Sequence, residues 1–207
     1  MSRNISFTTT SLNRPEILEK TFSSFTNNIK DIDFKQCQLF INIDPIPNDQ
    51  RENCIEICKK FFGECFINLP DSPNFTKALN WCWKKANTDW IFHLEDDWLL
   101  LKEINLVDLI KKFENKKHIH LRAYKNHPYA TTSLSPSLIR KDHYKSMVDK
   151  FDLNRNPEHQ IQLNQVVIIN KNDMCATSEV IVKDIGREWL ENNKMKKPNN
   201  KDKFTSY

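Results

Sequence analysis

Three consecutive acids, Glu95, Asp96 and Asp97, stand directly after a compact apolar run over residues 90–94. Like charges at that density repel unless a cation or basic side chains absorb the field, and carboxylate oxygens are hard donors that suit Mg2+ or Mn2+. Such a cluster can also cap a helix or sit in a solvated turn; its place at the end of a buried strand favours the cation. Gly63 and Gly186 are the only two glycines in the chain, so neither the dinucleotide-binding fingerprint nor the P-loop can be written in it. A nucleotide bound here needs its phosphates neutralised by something other than a glycine-rich cradle, most simply a divalent cation held by carboxylates.

The elements that would position these acids can be read from periodicity. Residues 4–9 form a β-rich run, and the segment Ser11-Leu12-Asn13-Arg14-Pro15 leads into a helix carrying Ile17, Leu18, Phe22 and Phe25 on one face, with Pro15 in its first turn. Strands follow at 38–43, 64–68 and 90–94, alternating with helices at 50–62 and 74–86. This alternation predicts right-handed crossovers and a mostly parallel, Rossmann-type α/β sheet flanked by helices. Ligands of such sheets bind beyond the carboxyl ends of the strands, where residues 8–14, Asp44 and residues 95–97 all fall. Beyond residue 102 the alternation loosens, with a helix expected at 104–113, strands at 118–124 and 131–139, and a helix at 142–150. Asn156-Pro157-Glu158 reads as a helix start, residues 166–169 and 180–182 are β-like, and 192–207 is a polar Lys/Asn-rich tail.

Three stretches together resemble GT-A-fold glycosyltransferases: the strand ending T-T-T-S-L-N-R-P, the N-F-T-K-A-L-N-W-C-W helix over 74–83, and the strand-terminal H-L-E-D-D-W. The resemblance implies a GT-A-like domain over 1–190, with a nucleotide-sugar half over 1–101 and an acceptor-side half over 102–190, followed by the tail. By the same resemblance Asp97 is expected to hold Mn2+ or Mg2+ bridging a donor diphosphate, while Glu95 and Asp96 contact ribose or neighbouring basic groups. Thr9, Thr10, Asn13 and Arg14 are expected to line the approach of base and phosphates, Asp44 to reach base or ribose, and Lys77 to face the phosphates. Each has a plainer reading: β propensity for the threonines, surface charge for Arg14 and Lys77, a turn cap for Asp44.

Family members often add a metal-ligating His shortly before Ile-Gly. The matching stretch is Val182-Lys183-Asp184-Ile185-Gly186, so Asp184 takes that place, as a ligand or as a turn residue. An inverting transferase also needs a carboxylate to accept the acceptor hydroxyl's proton. Glu158 is the candidate, with Asp152 and then Asp142 behind it, and helix capping explains Glu158 as well. Among the tryptophans, Trp98 is placed to border donor and acceptor; His159 is the better acceptor contact and His93 reads as buried.

The chain of 207 residues, 39% hydrophobic with a formal net charge of +4, has the composition of a folded domain rather than a disordered or fibrous chain. Its opening residues lack a secretory apolar core and no run is long enough for a bilayer span, which reads as a cytosolic protein without a transmembrane segment. The Lys/Asn-rich composition suits an AT-rich viral or bacterial genome. The six cysteines show no C-x-x-C pair and read as reduced small hydrophobes, with a Cys54/Cys58/Cys65 metal site the other option. The resemblance implies a UDP-sugar donor, or a GDP-sugar, and a glycan or glycoconjugate acceptor; the dispersed basic residues, with no recognised nucleic-acid motif, speak against a nucleic-acid partner. A sugar nucleotidyltransferase, a metal-dependent nuclease and a non-catalytic nucleotide-sugar or carbohydrate-binding module are the other classes these residues admit.

Overall fold

The structure, a computed structural model, describes residues 5–46, 49–121, 134–167 and 171–192. Strand β1 (Ile5–Leu12) lies between β2 (Gln38–Asp44) and β4 (Trp90–Glu95), all parallel, and β3 (Glu64–Asn68) extends the sheet beyond β2. Helices α1 (Pro15–Asn28), α2 (Arg51–Phe61) and α3 (Phe75–Lys85) make the crossovers. Pro15 opens α1 at its first turn, and the Asn74 side chain caps α3 by accepting from Lys77 N–H.

Apolar side chains cover both faces. On one, Phe7 sits among Phe34, Phe62 and Phe92, with ring centroids 4.9, 5.3 and 5.4 Å away, and α1 adds Leu18, Phe22 and Phe25. On the other, Leu79, Cys82 and Trp83 of α3 pack with Phe40, Ile91 and Ile139. The two clusters clamp the sheet, and burial on this scale is the main driving force for the fold.

The second half completes the sheet with β6 (His118–His120), β7 (Ser137–Arg140) and β8 (Met174–Ala176), giving the order β3-β2-β1-β4-β7-β6-β8. Strand β7 runs antiparallel to both β4 and β6, so the sheet is mostly parallel with one reversed strand. Helices α4 (Leu106–Lys112), α5 (Lys141–Met147) and α6 (Pro157–Gln162) flank it, the last capped by Asn156 as its sequence predicts. A separate ribbon pairs β5 (Trp98–Leu100) antiparallel to β9 (Val182–Asp184), and α7 (Gly186–Asn192) follows.

Several expectations shift. Strand β1 runs three residues past Thr9, because Thr10, Ser11 and Leu12 find partners in Asn42, Ile43 and Asp44. Val166 and Val167 lie in a bend rather than a strand. Residues 122–124, 131–133, 168–170 and the tail from 193 lie outside the described residues. The six cysteines form no disulfide, with Cys54, Cys58 and Cys82 buried. Among the described residues no helix is long and apolar enough to cross a membrane.

Candidate functional site

Strand register builds the floor of the site. Thr10 pairs with Asn42 on one side and Glu95 on the other, which lines up the three at the carboxyl ends of β2, β1 and β4. Asn42 donates to Asp44 Oδ1 at 2.7 Å and accepts from Asn68 Nδ2 at 2.6 Å; Asp44 Oδ2 accepts from Asn74 N–H at 3.0 Å. Asp44 thus joins the end of β2 to the start of α3. Burial pushes its carboxyl above the usual range, against the pull of the Asn42 and Asn74 bonds.

The turn after β4 fixes the remaining acids. Asp96 Oδ2 accepts from Ser11 Oγ and from Leu12 N–H, each at 2.9 Å, and Arg14 Nη2 pairs with Asp96 Oδ1. The same Nη2 lies 3.3 Å from Asp97 Oδ2. Asp96 and Arg14 are both almost fully buried, so each supplies the countercharge the other requires. Burial works against the Arg14 charge, yet Asp96 and Asp97 hold its proton above the ordinary arginine range.

Asp97, a quarter exposed at its side chain, is the acid left open to solvent on this turn. Burial, the Asp96 charge and the Asp184 charge push its carboxyl up to about 6, while Arg14 opposes the shift. Asp184 faces Trp98 across the β5–β9 ribbon; its Oδ1 accepts from Gly186 N–H at 2.9 Å, and Arg187 Nε stands 3.7 Å from Oδ2. Ile185 N–H donates to the Asp97 carbonyl at 2.8 Å, locking the ribbon to the acidic turn.

Glu95 faces the other half. Burial, then the charges of Asp97 and Glu158, push its carboxyl well above the carboxylate range, while Trp98 Nε1–H donates to its Oε2 at 3.1 Å. Glu158, in the first turn of α6, accepts from Leu134 N–H at 2.8 Å through Oε1. Two carboxyl groups 63 positions apart are thereby brought within electrostatic reach.

No protein-family model and no curated protein matches the chain. Solved structures do. The S. aureus TarS 1–349 structure superposes with a TM-score of 0.61 at 12% identity, over 90% of this chain and 62% of that one. A mannosyltransferase from Pyrobaculum calidifontis, in complex with GDP-Man and Mn2+, gives 0.62 at 8% identity, over 86% and 58%. The 4-diphosphocytidyl-2C-methyl-D-erythritol synthase of Anaerococcus prevotii gives 0.57 at 11%, over 91% and 94%.

The fold is of the GT-A type.

The chain spans about three fifths of the length of TarS 1–349 and of the mannosyltransferase. Within this GT-A-type fold, the structure places Thr10, Arg14, Asp44, Glu95, Asp96, Asp97 and Asp184 at the strand ends or on the loops beside them, brings Glu158 of α6 within electrostatic reach of Glu95, and leaves other expected residues apart. Thr9 is fully buried on the sheet face it shares with Phe7, opposite Thr10. Asn13 is used internally, donating to Asp49 Oδ1 at 3.1 Å and accepting from Gln50 N–H at 3.0 Å, so that it anchors the start of α2. Lys77 is exposed on α3 and makes no ion pair among the described residues. Asp152 is exposed and accepts from Asn154 N–H at 3.0 Å within its own turn, while Asp142 pairs with Arg140 at 2.8 Å. Trp98 is 5% exposed, which buries its ring beneath the acids rather than offering it to a sugar. His93 is buried as expected.

Among the described residues no group of three or more His, Cys, Asp or Glu stands in a cation-holding arrangement. The pair Asp97 and Asp184 nonetheless fits the chemistry of a hard divalent ion. Each is a carboxylate partly open to solvent, the charge of one raises the proton affinity of the other, and Mg2+-type sites commonly take one or two carboxylates with substrate phosphates completing the shell.

Three residues were not singled out from sequence as parts of this site: Gly186, Trp189 and Glu16. A β-carbon on Gly186 would stand 2.1 Å from Asp97 Oδ2. Trp189 Nε1–H donates to Glu16 Oε1 at 2.7 Å, and its ring lies 5.0 Å from the Arg14 guanidinium carbon. For Gly186 a signal did exist, since a chain with two glycines keeps one two residues beyond Asp184.

Proposed function

We propose that the chain is a divalent-cation-dependent glycosyltransferase that moves a sugar from a nucleoside-diphosphate sugar to a hydroxyl of a glycan or glycoconjugate, with inversion. The observation that carries this reading is the approach of Glu158, oriented by Leu134 N–H, to the buried Glu95, beside the Arg14–Asp96–Asp97 turn at the carboxyl ends of the strands. The Pyrobaculum mannosyltransferase bound to GDP-Man and Mn2+ and the TarS complex with UDP (TM-score 0.54, 13% identity) support a nucleotide-sugar donor.

The β1–β4 half takes the donor, with Asp44 and the Asn42–Thr10–Glu95 row beneath it. Asp97 and Asp184 would hold the divalent cation. Such an ion, when bound, neutralises charge on the departing diphosphate. Arg14 adds fixed positive charge beside that site and cancels the field of Asp96.

Glu158 is the base. Its hydrogen bond from Leu134 N–H sets the direction of the carboxylate. Beside it, burial and the charges of Asp97 and Glu158 raise the proton affinity of Glu95, so the two carboxyl groups are set in unlike environments. In the reaction the acceptor oxygen attacks the anomeric carbon and its proton passes to Glu158, while the bond from anomeric carbon to diphosphate oxygen breaks and its electron pair leaves with the diphosphate.

The test is release of UDP or GDP from a panel of nucleotide sugars in Mn2+ with glycan acceptors. Wild type should turn over one donor class, and Glu158→Gln should lower kcat by roughly 10²–10⁴-fold with donor KM little changed. Release of pyrophosphate from a nucleoside triphosphate and a sugar phosphate would instead establish nucleotidyl transfer. That second reading is favoured by the Anaerococcus synthase, the one neighbour described above that this chain nearly spans, and opposed by the glycine-free loop after β1.

A further inference from the structure

Helix α7 is fastened to the start of α1 through the side chain of Trp189. The Trp189 ring covers the Arg14 guanidinium at 5.0 Å, and its Nε1–H donates to Glu16 Oε1 at 2.7 Å on the first turn of α1. Arg14 in turn bonds Asp96 and Asp97. At the other end of the same segment, Asp184 and Gly186 lie against Asp97, and Ile185 N–H bonds the Asp97 carbonyl. The segment 184–189 therefore closes a ring: Asp97 to Asp184 through the β5–β9 ribbon, Asp184 to Trp189 along α7, Trp189 to Arg14, and Arg14 back to Asp97. Opening the ring at Trp189 frees the guanidinium on its outer face and unfastens the helix that follows Asp184.

We propose that Trp189 is a positioning residue for the donor site: by clamping α7 onto Arg14 and Glu16 it holds Asp184 and the Arg14 charge in register with Asp97. The inference rests on the reading of Asp97 and Asp184 as the cation-holding pair. It adds a residue that touches neither substrate nor metal, yet sets the spacing of the two carboxylates and the orientation of the neighbouring cation. Indole gives the strongest cation–π surface of the side chains, and its N–H reaches an acceptor that phenylalanine cannot. The two contacts can therefore be separated by mutation.

The experiment measures the Mn2+ concentration that half-saturates UDP binding, by calorimetry, in wild type, Trp189→Phe, Trp189→Leu and Leu190→Ala, alongside their melting temperatures without metal. Leu190→Ala trims the neighbouring, half-buried side chain of the same helix and controls for simple loosening. The expected result is an increase of about tenfold in the Mn2+ requirement for Trp189→Leu and a smaller one for Trp189→Phe, which keeps a ring over Arg14. Leu190→Ala should lower the melting temperature while leaving the Mn2+ requirement near that of wild type. Equal Mn2+ requirements in wild type and Trp189→Leu, with UDP bound by both, would overturn the inference and leave the donor site standing. The same shift in Leu190→Ala as in Trp189→Leu would reduce Trp189 to a packing residue. A folded wild type that binds neither Mn2+ nor any nucleoside diphosphate would remove the donor-site reading and the inference with it.

Discussion

Gly186 lies over Asp97 so closely that a single added β-carbon would meet Oδ2 at 2.1 Å and the carboxyl carbon at 2.8 Å. The first α7 residue and the last acid of the β4 turn, 89 positions apart, are fitted to each other at the level of one methyl group. Such a fit requires both the β5–β9 pairing and the Ile185 to Asp97 backbone bond.

Gly186→Ala should therefore displace the Asp97 carboxylate, the softer partner in the clash. The expected outcome is loss of Mn2+-dependent nucleotide binding with circular dichroism and cooperative unfolding retained. Unchanged Mn2+-dependent binding by Gly186→Ala would show that the Asp97 carboxylate plays no part in the site.

Arg14 and Asp96 are each about 4% exposed at the side chain, and Asp96 has no other cation in contact among the described residues. Removing one partner of a buried pair strands the other charge, which typically costs about 3–5 kcal/mol. Urea unfolding of Arg14→Ala should show a loss of that size, whereas Arg14→Ala with Asp96→Asn together should recover part of it. Equal stability of Arg14→Ala and wild type would mean that the pair contributes nothing net.

Buried imidazoles on the sheet make the fold acid-sensitive. His93 and His120 are held down to about 3 by burial, His120 also by the charge of His143, and among the described residues neither ring nitrogen of His120 has a hydrogen-bond partner. In the unfolded chain imidazoles titrate near 6.5, so below that pH the unfolded state binds protons the folded state refuses. Stability is complete above about pH 6.5 and falls toward pH 3, at about 1.4 kcal/mol per pH unit for each such histidine. Asp97, pushed up to about 6, runs the other way below that pH, as do the buried Asp44 and Glu95, whose carboxyls are also raised, while His118 and His143, likewise held down by burial, add to the histidine slope. The melting temperature should accordingly fall between pH 6.5 and 4.5, and fall less steeply in His120→Leu, which removes a ring without breaking a bond. Parallel profiles for the two proteins would contradict this assignment.

The strands and helices of the first half were legible because each carries its own signal: apolar runs bounded by turn residues for β1 to β4, and a 3.6-residue apolar stripe with Pro15 or Asn74 at the start for α1 and α3. The convergence of residues 8–14, Asp44 and the acids followed from parallel topology alone. The β5–β9 ribbon was not legible whole, since three-residue strands carry no periodicity and Trp98 finds Asp184 only through tertiary packing. Thr9 was misplaced for a related reason. The strand continues to Leu12, and alternation then puts Thr10 rather than Thr9 on the face of Glu95. Asn13 has the residue type of a ligand contact but satisfies Asp49 and Gln50, a pairing across 36 or 37 positions that no local pattern announces.

The measurement that bears most directly on the account is calorimetric titration of UDP, GDP and CMP, and then of their sugar conjugates, into wild type and Asp97→Ala with and without Mn2+. One nucleoside diphosphate should bind wild type in a Mn2+-dependent manner, and Asp97→Ala, still folded, should lose the Mn2+ dependence. Binding that is indifferent to Mn2+ and to Asp97, or no binding of any of these by folded wild type, would contradict this.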